Sequence, residues 1–128
     1  MTRIVAIGEC MVEMAPVATE GQFRLGYAGD TLNTAWYLRR LLGVDDQIEY
    51  FTSVGTDAVS DRMLGFFMQA GIGTEHILRR DDKSVGLYMI QLQAGERSFS
   101  YWRSDSAART LAADPVPLQA ALDGADLA

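Results

Sequence analysis

Two stretches of the chain carry residue types and spacings suited to holding a small polar ligand. The first runs Gly26-Tyr27-Ala28-Gly29-Asp30-Thr31-Leu32-Asn33-Thr34-Ala35-Trp36-Tyr37. A glycine-bearing loop leads straight into a helical pattern. A helix that starts this way offers free backbone N–H groups and a small positive partial charge at its mouth, and polar side chains beside it can hold hydroxyls or an anionic group. The same letters also describe an ordinary helix behind a tight turn, capped by Asp30 or Thr31.

The second stretch alternates over Ser84–Gln93 and again over Arg97–Arg103, with Gln93-Ala94-Gly95-Glu96 between them. This reads as an antiparallel hairpin. A loop centred between Ala94 and Gly95 pairs Gln93 with Glu96, and the same register sets Tyr88 opposite Tyr101. Strand alternation puts Tyr88 and Ile90 on one face, with Val85, Leu87 and Met89 on the other. Arg103 lies one pleat from Tyr101 on the Tyr88 face. Phenols donate hydrogen bonds to sugar-like hydroxyls or to a carboxylate, and a guanidinium grips a carboxylate bidentately. Plain aromatic cross-strand pairing beside a solvated arginine accounts for the same residues.

The elements that must position these groups alternate. Arg3–Gly8 is a short β-branched apolar run, read as a buried strand. Met11–Val17 reads as a second strand at a sheet edge, ended by Pro16, and Phe23–Tyr27 as its return. Thr31–Leu42 is a helix with Leu32, Tyr37, Leu38, Leu41 and Leu42 at helical spacing, closed by Gly43. Ile48–Val54 is the next strand. Ser60–Ala70 is an amphipathic helix with Met63, Leu64, Phe67 and Met68 on one side, started by Asp57 and stopped by Gly71 and Gly73. His76–Arg79 is a short strand, and Pro115–Leu122 a helix. The strand–helix–strand–helix order predicts an α/β fold with a mostly parallel sheet covered by helices. The hairpin, set apart from that core, is a candidate lid.

Composition narrows the function classes. The 128 residues suffice for one compact core, at 48% hydrophobic and 22% charged. A net charge of -6 argues against a nucleic-acid backbone as partner. The single cysteine, Cys10, leaves no internal disulfide and no cysteine-rich metal site, and is read as packing. The apolar start is too brief for a signal peptide, no window approaches a membrane span, and a cytoplasmic enzyme or part of one is expected. Ala125–Ala128 resembles the opening of a buried strand, so the chain is expected to be the front part of a longer protein. Lone His76 is expected at the surface. Glu9 and Glu13 read as lid or surface polarity, Arg79–Lys83 as a solvated turn, and Trp102 as packing against the core or a second subunit.

Ile7-Gly8-Glu9, Ala28–Thr34, Val54-Gly55-Thr56-Asp57 and the hairpin ending Tyr101-Trp102-Arg103 occur together in this order. The combination resembles the ribokinase-like (PfkB) carbohydrate kinases over essentially the whole chain. The resemblance implies a single ribokinase-like domain, of which residues 1–128 form the N-terminal part, incomplete at its C-terminus. Lid segments are expected at about 11–27 and 76–104. It implies ATP-dependent phosphorylation of a sugar, with Mg²⁺. Tyr-Trp-Arg together with Asp-Thr-Leu-Asn favours a sugar acid, 2-dehydro-3-deoxygluconate, over ribose or fructose. Gly29, Asp30 and Asn33 would touch sugar oxygens. Tyr88, Tyr101 and Arg103 would reach in from the lid, with Arg103 on the carboxylate, and a homodimer through the lid is expected.

The sequence departs from the family in two ways. The loop usually carries two adjacent glycines, and the first is here Ala28. The second signature, a Gly-Ala-Gly-Asp-type turn bearing the catalytic aspartate and anion hole, is absent from these residues, as are ATP and magnesium ligands. Asp30 therefore reads as a sugar-binding residue. No catalytic residue is assigned, and the chain by itself is expected to be inactive. Another sugar kinase of the fructokinase or ribokinase type, or a noncatalytic sugar-binding module, remains the alternative.

Overall fold

The computed structural model describes residues 1–128. Its centre is parallel. β1 (Arg3–Ile7) pairs in parallel with β4 (Gln47–Phe51), placing Ile4 opposite Ile48. Each strand buries apolar residues on both faces, Ile4 and Val5 in β1 and Tyr50 and Phe51 in β4, because helices cover both. On one side α1 (Asp30–Leu41) and α2 (Ala58–Gln69) bury Leu32, Ala35, Met63 and Phe67 against Ile4, Ile48, Tyr50 and Val54. On the other, α3 (Pro115–Leu122) sets Ala121 against Val5 and Phe51.

The strand expected over Ile48–Val54 is two strands. β4 bonds to Gly73 on its free side, with Tyr50 N–H to the Gly73 carbonyl at 3.0 Å and Gly73 N–H to the Ile48 carbonyl at 2.8 Å. β5 (Ser53–Gly55) pairs in parallel with β6 (Leu78–Arg80). The neighbouring segment makes a turn between these contacts, with Ile77 N–H bonded to the Thr74 carbonyl, so the strand expected at 76–79 begins two residues late.

A second sheet has the order β3-β2-β7-β8, from β2 (Met11–Pro16), β3 (Phe23–Ala28), β7 (Leu87–Gln93) and β8 (Glu96–Trp102). Two antiparallel hairpins join through a parallel pairing of β2 with β7, so the sheet is mixed. β2 is interior, not an edge. Pro16 is no obstacle, because only Val12–Met14 pair with β7 and Pro16 lies beyond them. The β7–β8 register follows the turn chemistry. Ala94 and Gly95 adopt φ of 51° and 81°, both positive as a two-residue hairpin turn requires, and Gln93 faces Glu96. Within the span 76–104 the strands divide, β6 pairing with β5 and β7–β8 joining this sheet.

The helices differ in detail from expectation. Gly29 is the N-cap of α1, with no side-chain cap, and Asp30 lies in the first turn. Tyr37 and Leu41 face solvent, while Ala35 takes the buried position between Leu32 and Leu38. Gly43 does not adopt a left-handed conformation. Instead the Arg39 guanidinium turns back onto the Gly43 carbonyl. In α2, Met68 is exposed, and the buried stripe is Met63 and Phe67. α2 begins at Ala58, two residues before the expected Ser60, and its cap is as expected: Asp57 Oδ1 accepts from Ser60 N–H at 2.9 Å. Gly71, at φ 78°, ends the helix. Arg79 is tied to the Gly55 carbonyl and Asp61, so only part of the 79–83 charge run is a free turn.

Candidate functional site

The start of α1 and the cleft face of the second sheet meet around a cleft of about 440 Å³. All six residues singled out from the sequence line it. Gly29, Asp30 and Asn33 stand on the helix side, and Tyr88, Tyr101 and Arg103 on the hairpin side. Glu9, Met11, Ala28, Thr31 and Phe99 complete the lining.

The helix side is built on close backbone packing. Gly29 has φ 174°, an extended value open to any residue. Space, not conformation, demands glycine: a Cβ there would fall well under 3.0 Å from the Glu9 carbonyl oxygen. α2 and α3 carry aspartate caps, Asp57 and Asp114, whereas the first-turn N–H groups of α1 have no side-chain partner. They are the helix-terminal donors left for a ligand in the cleft. Thr31 Oγ1 is 2.8 Å from the Tyr50 hydroxyl, which fastens the helix start to the buried strand β4. Burial, more than the Thr31 bond can offset, pushes the Tyr50 phenol above its ordinary range.

The hairpin side presents three stacked rings and a cation. Tyr88 and Tyr101 face each other with centroids 6.0 Å apart, and Phe99 lies within 6.4 Å of both. The Tyr88 hydroxyl donates to Glu13, its direct neighbour across β2–β7. Its one proton is thereby committed, and toward a ligand Tyr88 offers lone pairs instead of the donor expected from sequence. Burial first, then the Glu13 bond, raises its pKa and keeps it protonated. Tyr101, more than half exposed, has no such partner.

Glu9 is the residue that sequence reasoning undervalued. It follows β1 at the carboxyl end of the sheet, where ligands gather in α/β folds. Its carboxylate lies 2.7 Å from Arg103 Nη2 and accepts from Ser106 Oγ at 2.6 Å. Spacing gave no hint of that pair, since 94 residues separate its members. Glu13, expected as lid or surface polarity, sits on β2 of the second sheet and accepts from the Tyr88 hydroxyl. Trp102 projects from the opposite face and stays largely exposed, without packing into the core. Cys10 is buried, which pushes its thiol far up and leaves it inert. His76 is partly exposed, 4.0 Å from Glu49.

Ala28 closes β3 opposite Met11 and lines the cleft with its methyl group. The tight backbone approach comes one residue later, where Gly29 packs against the Glu9 carbonyl.

Comparison with known proteins agrees with this architecture. The chain is 44% identical over 119 residues to 2-dehydro-3-deoxygluconokinase of Haemophilus influenzae, covering 90% of this chain and 37% of that protein. It is 44% identical over 108 residues to the protein of the same name from Dickeya dadantii, covering 83% and 34%. The chain thus spans about a third of the length of these relatives. Among solved structures, 2-dehydro-3-deoxygluconokinase of Thermotoga maritima superimposes with a TM-score of 0.81 at 23% identity, over 98% of this chain and 39% of that one, a likeness of fold. Fructokinase from Xylella fastidiosa superimposes with a TM-score of 0.73 at 28% identity, over 83% and 34%. The fold is ribokinase-like α/β. Residues 1–127 match the pfkB family carbohydrate kinases, and the chain belongs to that family.

Proposed function

We propose that residues 1–128 supply the sugar-binding half of an ATP-dependent kinase for 2-dehydro-3-deoxygluconate. The observation that carries this reading is Arg103, a cation set in a cleft opposite an uncapped helix start and beside two phenols. Such a cleft suits a ligand with hydroxyls at one end and a carboxylate at the other. Relatives named for that sugar acid, at 44% identity, support it. In this reading Gly29, Asp30 and Asn33 hold sugar oxygens, Tyr88 accepts from a hydroxyl, Tyr101 donates, and Arg103 takes the carboxylate. The second sheet acts as a lid that excludes water.

The kinase reading implies ATP and Mg²⁺. In this reading they are held by residues other than these: no group of three or more His, Cys, Asp or Glu is placed to hold a metal ion, and the α1 start opens on the sugar cleft. No phosphoryl-transfer step is derived through these residues, and the chain by itself is expected to bind sugar acid without turning over ATP. A cytoplasmic location and a small-molecule partner, not a nucleic acid, belong to the same reading; no helix is long and apolar enough to cross a membrane. Exposed Leu25 and Trp102, on the sheet face away from the cleft, offer the surface for a homodimer.

Calorimetric titration of the chain with 2-dehydro-3-deoxygluconate and with fructose tests the assignment. Arg103→Ala is expected to weaken the acid by about a hundredfold, the weight of a charge-assisted bidentate contact, and to leave fructose nearly unchanged. Equal losses for both sugars would remove the sugar-acid assignment in favour of a neutral-sugar kinase.

A further inference from the structure

Arg103 is a long side chain, 45% exposed, and left alone it would sample many rotamers. One residue prevents this. Glu9 is 12% exposed at its side chain, and both of its carboxylate oxygens are engaged by the protein. Oε1 takes Arg103 Nη2 at 2.7 Å, and Oε2 accepts from Ser106 Oγ at 2.6 Å. Gly86 makes the room: a Cβ there would lie 2.7 Å from Glu9 Oε2 and 3.1 Å from Arg103 Cβ. The backbone carbonyl of the same glutamate packs against Gly29. Glu9 therefore touches the helix start with its backbone and the hairpin arginine with its side chain.

We propose that Glu9 is a positioning residue for Arg103. It fixes one edge of the guanidinium so that the remaining donors are held ready for a ligand carboxylate. A guanidinium has five N–H donors, and an ion pair at one edge leaves others free for bidentate contact. Each oxygen of Glu9 is thus committed to a protein donor. Preorganisation of this kind raises affinity by removing the ordering cost of binding. The opposing effect is direct: a second carboxylate beside Glu9 is repelled by it. The Arg103 charge lies between the two carboxylates and offsets that repulsion, and the gain from ordering the long side chain remains. The inference rests on the sugar-acid reading of the cleft.

The test uses the whole chain, titrated with 2-dehydro-3-deoxygluconate and with its methyl ester, which keeps the shape and removes the charge. Glu9→Ala is expected to weaken the acid about tenfold and the ester by less than about threefold, because only the acid needs the oriented fork. Glu9→Gln, which can still accept from Arg103, is expected to recover most of the loss. Ser106→Ala, which frees one oxygen of Glu9 and leaves the core intact, is expected to weaken the acid by about threefold and serves should Glu9→Ala not fold. Acid binding that is unchanged or tighter in these variants, or acid and ester weakening in parallel, overturns the positioning role. Wild-type protein that ignores the acid, or Arg103→Ala without effect, overturns the sugar-acid reading instead.

Discussion

Tyr88 and Tyr101 stand directly opposite each other on β7 and β8, ring centroids 6.0 Å apart and planes inclined by 28°. The Tyr88 hydroxyl is drawn the other way, across the parallel pairing to Glu13 on β2. One ring thus joins the two hairpins of the second sheet. Tyr88→Phe is expected to leave Glu13 without its donor and lower stability by about 1 kcal/mol, read from denaturant unfolding. Tyr101→Phe is expected to be nearly neutral in the same measurement.

Gly29→Ala places a methyl group against the Glu9 carbonyl oxygen, at the junction where β3 ends and α1 begins. A loss of about 1–3 kcal/mol is expected, the usual range for forced overpacking, together with weaker sugar-acid binding. Gly26→Ala, where a Cβ meets nothing within 4 Å, is the control and should change neither thermal unfolding nor binding.

Asp57 caps α2, and its other oxygen accepts from Ser84 at the foot of the hairpin. The Ser60 and then the Ser84 bonds hold its carboxyl below the usual carboxylate range. A carboxylate with a lowered folded pKa contributes stability above its unfolded pKa and loses it as pH falls through the folded value. Asp57→Ala is expected to cost about 1 kcal/mol at neutral pH. The gap between variant and wild type should close as pH drops below the ordinary carboxylate range, which unfolding curves at several pH values will show. A gap that persists at the acid end would mean the charge plays no part.

Tyr50 shows the opposite sign. Its folded pKa is raised by burial, so its contribution is complete below the ordinary tyrosine value and fades as pH rises through the folded one. Tyr50→Phe is expected to cost about 1 kcal/mol through the lost Thr31 bond. Its alkaline unfolding should also shift upward, because no buried phenol remains to be ionised.

Ala94 occupies a left-handed position, φ 51°, in a two-residue turn that favours asparagine. Ala94→Asn is expected to stabilise the hairpin by about 0.5 kcal/mol, visible as slower amide exchange in β7 and β8.

Much of the candidate site was legible in the sequence because its logic is local. The β7–β8 register follows from a two-residue turn and strict alternation, so the pairing of Tyr88 with Tyr101 needed no tertiary information. Helical periodicity located α1, although its cap is Gly29 and not Asp30 or Thr31, and the α2 cap was legible in Asp57. Where periodicity was read too literally, solvent took the extra apolar residues, as at Tyr37, Leu41 and Met68.

What only the tertiary structure decided lies in contacts between residues distant along the chain. The parallel pairing of β2 with β7 turned an expected edge strand into an interior one, and no short-range rule specifies which strands meet across 75 residues. The same pairing brought Glu13 to the Tyr88 phenol and fixed its proton. The return of the hairpin to the end of β1 brought Arg103 to Glu9. By itself the sequence determined that Tyr88, Tyr101 and Arg103 share one face of the hairpin, because the turn and strand alternation set side-chain direction. Tertiary packing decided how those groups are charged, oriented and protonated, because that depends on partners brought together only by closure of the whole chain.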